Sequence, residues 1–166
     1  MIVFGIDPGT ARTGYGLVEL DAGRNMKALG YGVISTSKNT AHPDRLVQIY
    51  DEMQKLLHRY QPACCAVEKL FFQKNVKTAI SVGQARGVIL LALAQHKLEI
   101  AEYSPNEIKQ AITGYGAADK QQMQLMVRTL LNLEEIPRPD DAADALAVAM
   151  CHLQNDLFHR RIREQS

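Results

Sequence analysis

The period of the apolar residues changes after the first 36 positions of this chain, and that change limits what it can fold into. Up to residue 36 they come in short β-rich runs cut by turn signals. Ile2 to Ile6 stops at Asp7-Pro8-Gly9, and Gly14 to Leu20 and Leu29 to Thr36 flank the turn-prone Asp21-Ala22-Gly23. Three strands with short connections predict an antiparallel meander. From Leu46 the spacing becomes three and four: Leu46, Ile49, Tyr50, Met53, Leu56, Leu57 and Tyr60 recur with charge between them, as on an amphipathic helix. Ala63 to Val67 then reads as a short buried strand ending at Glu68, and Leu98 to Tyr103 as a further strand. Between them, about Lys74 to Gln95 reads as a long helix, weakened by Gly83 and Gly87.

Local signals punctuate the last third. Ser104-Pro105-Asn106-Glu107 combines an N-cap serine, a proline at the first helical position and a capping-box glutamate. Gly114 to Gly116 ends that helix, and Asp119 with Gln122 starts another that runs to about Leu131. Pro137-Arg138-Pro139 forces extended chain before Asp140 or Asp141 opens a last helix through Ala149 and beyond. The order β-β-β-α-β-α-β-α-α-α predicts an α/β fold, a mixed sheet with helices on its faces. The fourth and fifth strands are expected to be parallel, because a long helix joins them.

Composition narrows the class. A chain of 166 residues fits about one domain. Its 46% hydrophobic and 22% charged content is ordinary for a globular fold. The longest purely apolar run, Val88 to Ala94, is far below the ~18 residues of a membrane span. The start shows no signal-peptide pattern. The three cysteines, two of them adjacent at Cys64 and Cys65, give neither a disulfide framework nor metal-finger spacing. A soluble protein of a reducing compartment, the cytoplasm, is expected. Net charge is +1, from nineteen Lys and Arg against eighteen Asp and Glu. The distribution is uneven, since Lys69, Lys74, Lys77, Arg86 and Lys97 follow one another with no acid between. A basic surface beside an acidic site would also sum to nearly zero, so the total excludes neither.

Four acids share a feature: each ends or begins an element beside apolar sequence. Asp7 ends the first strand and Glu68 the fourth, while Asp141 and Asp144 fall in the first turn of the last helix, three apart and on one face. Taken singly they have plain roles as a turn residue, a strand end and N-terminal helix acids. Taken together they read differently, because strand ends of an open sheet gather where active sites form. At about 4 Å and an effective dielectric of roughly 20, one like-charge pair costs about 4 kcal/mol. A converged cluster must therefore take up protons or bind cations. Carboxylate-only ligation favours Mg²⁺ or Mn²⁺ over zinc. Two such ions activate a water and stabilise the leaving oxygen of a phosphodiester.

Gly5-Ile6-Asp7-Pro8-Gly9-Thr10, Val67-Glu68-Lys69-Leu70-Phe71-Phe72 and Gly83-Gln84-Ala85-Arg86-Gly87 resemble motifs of the RuvC family of Holliday-junction resolvases. So do Lys109-Gln110, Met126-Val127-Arg128 and Asp141-Ala142-Ala143-Asp144-Ala145-Leu146-Ala147. They recur in order from residue 1 to about 152. The resemblance implies a ribonuclease-H-like fold and a homodimer that nicks a four-way DNA junction symmetrically, leaving ends that ligase can seal. It implies that Asp7, Glu68, Asp141 and Asp144 bind the metal and carry catalysis, with about two Mg²⁺ ions per site and Mn²⁺ as a substitute. Some relatives have histidine at the place of Asp141, and Asp140 is a neighbouring acid that can substitute in part. An aromatic matching Phe71 lies near the junction centre in the family, with Phe72 beside it. Lys109 and Lys120 match lysines near the family's active site. A RuvA–RuvB branch-migration complex is the implied partner.

Lys74, Lys77 and Arg86 suit backbone contacts to DNA. Their helix equally suits a second subunit, since Ala79, Val82, Gly83 and Ala85 are small enough for close approach. Residues 1–152 are expected to form the nuclease domain and 153–166 a flexible tail. Three other readings compete, one of them a relative in the same fold that acts on RNA or on another branched structure. Gly5 to Thr10 also looks like the first phosphate loop of actin-like kinases and ATPases, but those need two such lobes. A junction-binding module without catalysis has no use for four acids facing phosphates.

Overall fold

The computed structural model describes residues 1–70 and 76–165, apart from the side chains of 76, 77 and 158–165. The elements are β1 (Ile2–Asp7), β2 (Arg12–Leu20), β3 (Met26–Ser35), α1 (His42–Tyr60), β4 (Cys64–Glu68), α2 (Val76–Gln95), β5 (Glu99–Tyr103), α3 (Pro105–Thr113), α4 (Lys120–Leu130) and α5 (Asp140–Gln165). One five-stranded sheet has the order β3-β2-β1-β4-β5. Its first two pairings are antiparallel and its last two parallel, as the alternation of strands and helices predicts. Strands β2 and β3 start earlier than the apolar runs suggest. Their ends are carried into the ladder by pairings such as Arg12 with Ser35 and Leu20 with Met26.

The period of two sorts β1 and β4 onto two faces. Phe4, Ile6, Cys65 and Val67 point to one side, where α1 and α2 add Ile49, Met53, Leu57, Ala85, Ile89 and Leu93. Val3, Cys64 and Ala66 point to the other, where α5 lies on the sheet and α3 and α4 pack against α5. Helix α5 is covered from several sides, so Ala145 through Cys151 are all essentially inaccessible. An apolar stretch of this kind has no polar stripe for periodicity to find.

Helix α5 sits unusually close to the sheet because the strands beneath it lack side chains where it crosses. A Cβ added to Gly5 would stand 2.5 Å from the Ala149 nitrogen, and one on Gly16 would stand 2.7 Å from the Leu146 nitrogen. At Gly14 it would strike the Asp141 carbonyl oxygen. The capping predictions hold. Ser104 accepts from the Glu107 amide while Glu107 accepts from Ser104, and Asp119 with Gln122 repeats the device. Helix α3 ends on Gly114, whose φ of 73° suits glycine.

Helix α2 is two-sided. Ala85, Ile89, Ala92 and Leu93 face the core, whereas Ile80, Gly83, Gly87 and Leu91, spaced three, four and four, are exposed. The small residues that suggested close helix approach are thus divided, Ala85 facing inward and Gly83 outward. Its stretch Thr78–Gln95, with mean hydropathy 1.2, is long and apolar enough for a membrane span by length and composition alone. Its inward stripe is nonetheless part of the sheet's core.

Candidate active site

The register of the sheet brings the first two acids together. Ile6 pairs with Val67 across the parallel β1–β4 ladder, so Asp7 and Glu68, one residue on, leave neighbouring strand ends on the face that α5 covers. Asp7 lies opposite Gly14 on β2. Because Gly14 has no side chain, the first turn of α5 settles there and carries Asp141 and Asp144 to the same corner. Glu68, Asp144, Lys109 and Lys120 line a cavity of about 260 Å³, closed by Pro105, Ile108, Met123 and Ala147. Helices α3 and α4 supply the two lysines, and their capping boxes fix where each helix starts.

Electrostatics records the crowding. Burial pushes the Asp7 carboxyl up to about 8, and the charges of Glu68, Asp144 and Asp141 push the same way. The two carboxyls act on each other in opposite senses, Glu68 raising Asp7 and Asp7 lowering Glu68. Glu68 is itself raised, chiefly by burial and then by Asp144, with the Asp7 hydrogen bond and Lys109 opposing. Asp144 is raised by burial too, against the pull of Lys120. Three carboxyls that resist ionisation in one corner form an all-oxygen donor set that a divalent cation would relieve. The residues therefore fit Mg²⁺ or Mn²⁺.

Two of the four acids are engaged by cations of the chain. Arg12 Nη1 lies 3.5 Å from Asp141 Oδ2. Lys120 Nζ lies 3.1 Å from Asp140 Oδ2 and 3.6 Å from Asp144 Oδ2. Among the described residues, no three acids, histidines or cysteines are drawn together tightly enough to cage an ion as they stand. Gln124 Nε2 donates to the other Asp140 oxygen at 2.8 Å. Burial acts to lower Lys120, but the bond to Asp140 and the charges of Asp144, Asp140 and Asp141 outweigh it, so its pKa is raised.

The sequence reading thus places Asp7, Glu68, Asp141, Asp144, Lys109 and Lys120 at one corner. It misses Arg12, Gln124 and the pairing role of Asp140. Only Gln124, four residues after Lys120 on one helix face, left a trace in the sequence. Arg86 is not part of the corner: it forms an ion pair with Glu102 of β5, and its side chain is 22% exposed. Phe71, Phe72, Lys74 and the Lys77 side chain lie outside what the structure describes.

Residues 3–152 match the model of a family described as crossover junction endodeoxyribonuclease RuvC. A curated relative with that name, from Syntrophomonas wolfei, is 56% identical over 155 residues, covering 93% of this chain and 90% of its own. The structure titled Thermus thermophilus RuvC superposes with a TM-score of 0.88 at 36% identity, over 96% of this chain and 97% of that one. A second, of T. thermophilus RuvC in complex with Holliday junction substrate, gives 0.87 at 34% identity over 95% and 96% of the two chains.

Proposed function

The chain belongs to the RuvC family, and from that premise we infer that it is a Holliday-junction resolvase. It is an endodeoxyribonuclease that cuts four-way DNA junctions by paired nicks in recombination and repair. One observation carries the chemistry: acids from β1, β4 and α5 share a corner with two inward-facing lysines. Asp7, Glu68, Asp141 and Asp144 are assigned as the catalytic acids and the ligands of Mg²⁺, with Mn²⁺ as a substitute. Two such ions, when bound, supply an activated water and neutralise the leaving oxygen.

The remaining steps belong to the chain's own side chains. Asp7, raised by its burial, would release its proton to solvent as a divalent ion is bound, which would restore the charge that ligation needs. Lys109 and Lys120 meet the phosphate beside the cut and offset its charge. Phe71 follows Glu68 by three residues, at most ~10 Å of chain, and is assigned to stacking on a base at the junction centre, worth ~1–3 kcal/mol. Phe72, Lys74 and Lys77 follow on the same segment and are assigned to DNA contact. Residues 1–152 form the nuclease unit.

Symmetric cutting requires two copies. The exposed stripe of Ile80, Gly83, Gly87 and Leu91 supports a homodimer through α2, because a Cβ on either glycine would meet nothing within 4 Å in the single chain. Glycine inside a helix costs about 1 kcal/mol relative to alanine, so a backbone approaching from outside accounts for both. A RuvA–RuvB complex that delivers the junction in the cytoplasm completes the reading.

A synthetic mobile four-way junction and a linear duplex, each with Mg²⁺ and with chelator, test it. Symmetric nicks are expected in the junction with Mg²⁺ and nowhere else. Cleavage with chelator, or equal cleavage of the duplex, would overturn the assignment. A gel shift without products would favour the inactive junction-binding module.

A further inference from the structure

The corner contains an arrangement that the reaction as described does not use. Helix α4 sends two side chains to one carboxylate: Lys120 Nζ reaches Asp140 Oδ2 at 3.1 Å, and Gln124 Nε2 donates to Asp140 Oδ1 at 2.8 Å. Asp140 and Asp144 are four apart, one turn from each other at the start of α5 and on one face, and the ammonium reaches both, with Asp144 Oδ2 at 3.6 Å. Asp144 lines the cavity with Lys120, whereas Asp140 does not line it and its side chain is 57% exposed.

We propose that Asp140 is a positioning residue: held by Gln124, it keeps Lys120 at the cavity mouth and so leaves Asp144 free to bind a divalent ion. The physical argument is competition for one carboxylate. An ammonium shared by two acids can give up one without moving far, because the other retains it. Without Asp140, the neighbouring carboxylate for Lys120 is Asp144 itself, and the lysine then competes with any cation for that oxygen. Gln124 matters because it occupies one Asp140 oxygen and leaves the other aimed at the lysine. The proposal rests on the metal-binding reading above and adds a residue that acts through Lys120 rather than as a ligand.

Mn²⁺ binding to the full chain without DNA, followed by electron paramagnetic resonance and calorimetry, tests it free of any activity readout. Asp140→Asn is expected to weaken Mn²⁺ binding by about two- to fivefold, the scale of a half-exposed ion pair. Lys120→Met is expected to strengthen it by a similar factor. In the Lys120→Met background, Asp140→Asn should change nothing. Equal weakening in both backgrounds would make Asp140 a direct ligand or a long-range charge, and no effect in either would leave it without a role; each result overturns the proposal. Gln124→Ala loosens the same clamp from the other helix and should shift binding in the same direction by less. Asp144→Asn separates the two readings. If it fails to weaken Mn²⁺ binding, the metal site is wrongly assigned and this inference falls with it. If it does weaken binding while Asp140→Asn behaves alike in both backgrounds, only the inference falls.

Discussion

The two faces of the sheet are built to different tolerances. Toward α1 and α2 the strands offer large side chains such as Phe4, Ile6 and Leu17, which meet Met53, Leu57, Ile89 and Leu93. Interdigitated side chains of this kind adjust when one of them changes. Toward α5 the strands offer glycines among smaller side chains such as Val3, Cys64 and Ala66, and backbone meets backbone at Gly5, Gly14 and Gly16. At each crossing the nearest atom is backbone, which has little room to absorb a change. The face that carries the acids is the one that cannot shift, and the difference shows what the chemistry requires: generic burial on one side, fixed carboxylate positions on the other.

That contrast can be broken most sharply at Asp7. Asp7→Asn is expected to reduce junction cleavage by about 10³-fold or more, while gel-shift affinity for the junction stays near that of the parent. Cleavage close to the parent rate would remove Asp7 from the mechanism. The same variant reports on charge. With the Asp7 carboxyl raised to about 8 from 3.8, the metal-free native state keeps a proton that the unfolded chain releases. Stability without metal therefore falls as pH rises from about 4 to 8. Thermal unfolding in chelator should show a smaller fall for Asp7→Asn. Glu68 and Asp144, raised in the same sense, leave a residual slope.

Gly14→Ala against Phe4→Leu compares the faces directly. The added methyl meets the Asp141 backbone, so α5 must lift at its first turn, at about 1–3 kcal/mol of stability. Cleavage by folded protein should fall by about tenfold or more, since small misplacements of reacting groups are costly. Phe4→Leu costs a similar amount of stability but should leave the cleavage rate per folded molecule nearly unchanged. Equal losses of activity would show that the two faces do not differ as described. The smallest effect is expected outside both cores. Leu91, 53% exposed on the outer stripe of α2, can become Glu with little loss of monomer stability. Sedimentation should nevertheless report a weaker dimer, and unchanged association would exclude that stripe as the interface.

What could be read from the sequence follows the range of the interactions. Ser104 and Asp119 declare helix starts because each cap is completed three residues away. The acids are conspicuous as polar residues at element ends, a local signal. Asp140 and Lys120 meet across 20 residues of chain, and Arg12 and Asp141 across a sheet and a helix. No periodicity encodes such pairings. Glycines 5, 14 and 16 were legible only as glycines; that they lie along the path of one helix depends on strand register. The apolar α2 hid its two-sidedness because one stripe faces the core and the other does not, yet both are apolar.

A rod resting on bare rails transmits its seating errors along its whole length. Ala149 crosses Gly5 eight residues below Asp141, about 12 Å along the helix axis. A single methyl introduced there should be felt as a misplaced carboxylate at the far end. Residues that touch neither DNA nor metal would then behave, under mutation, like members of the reacting group.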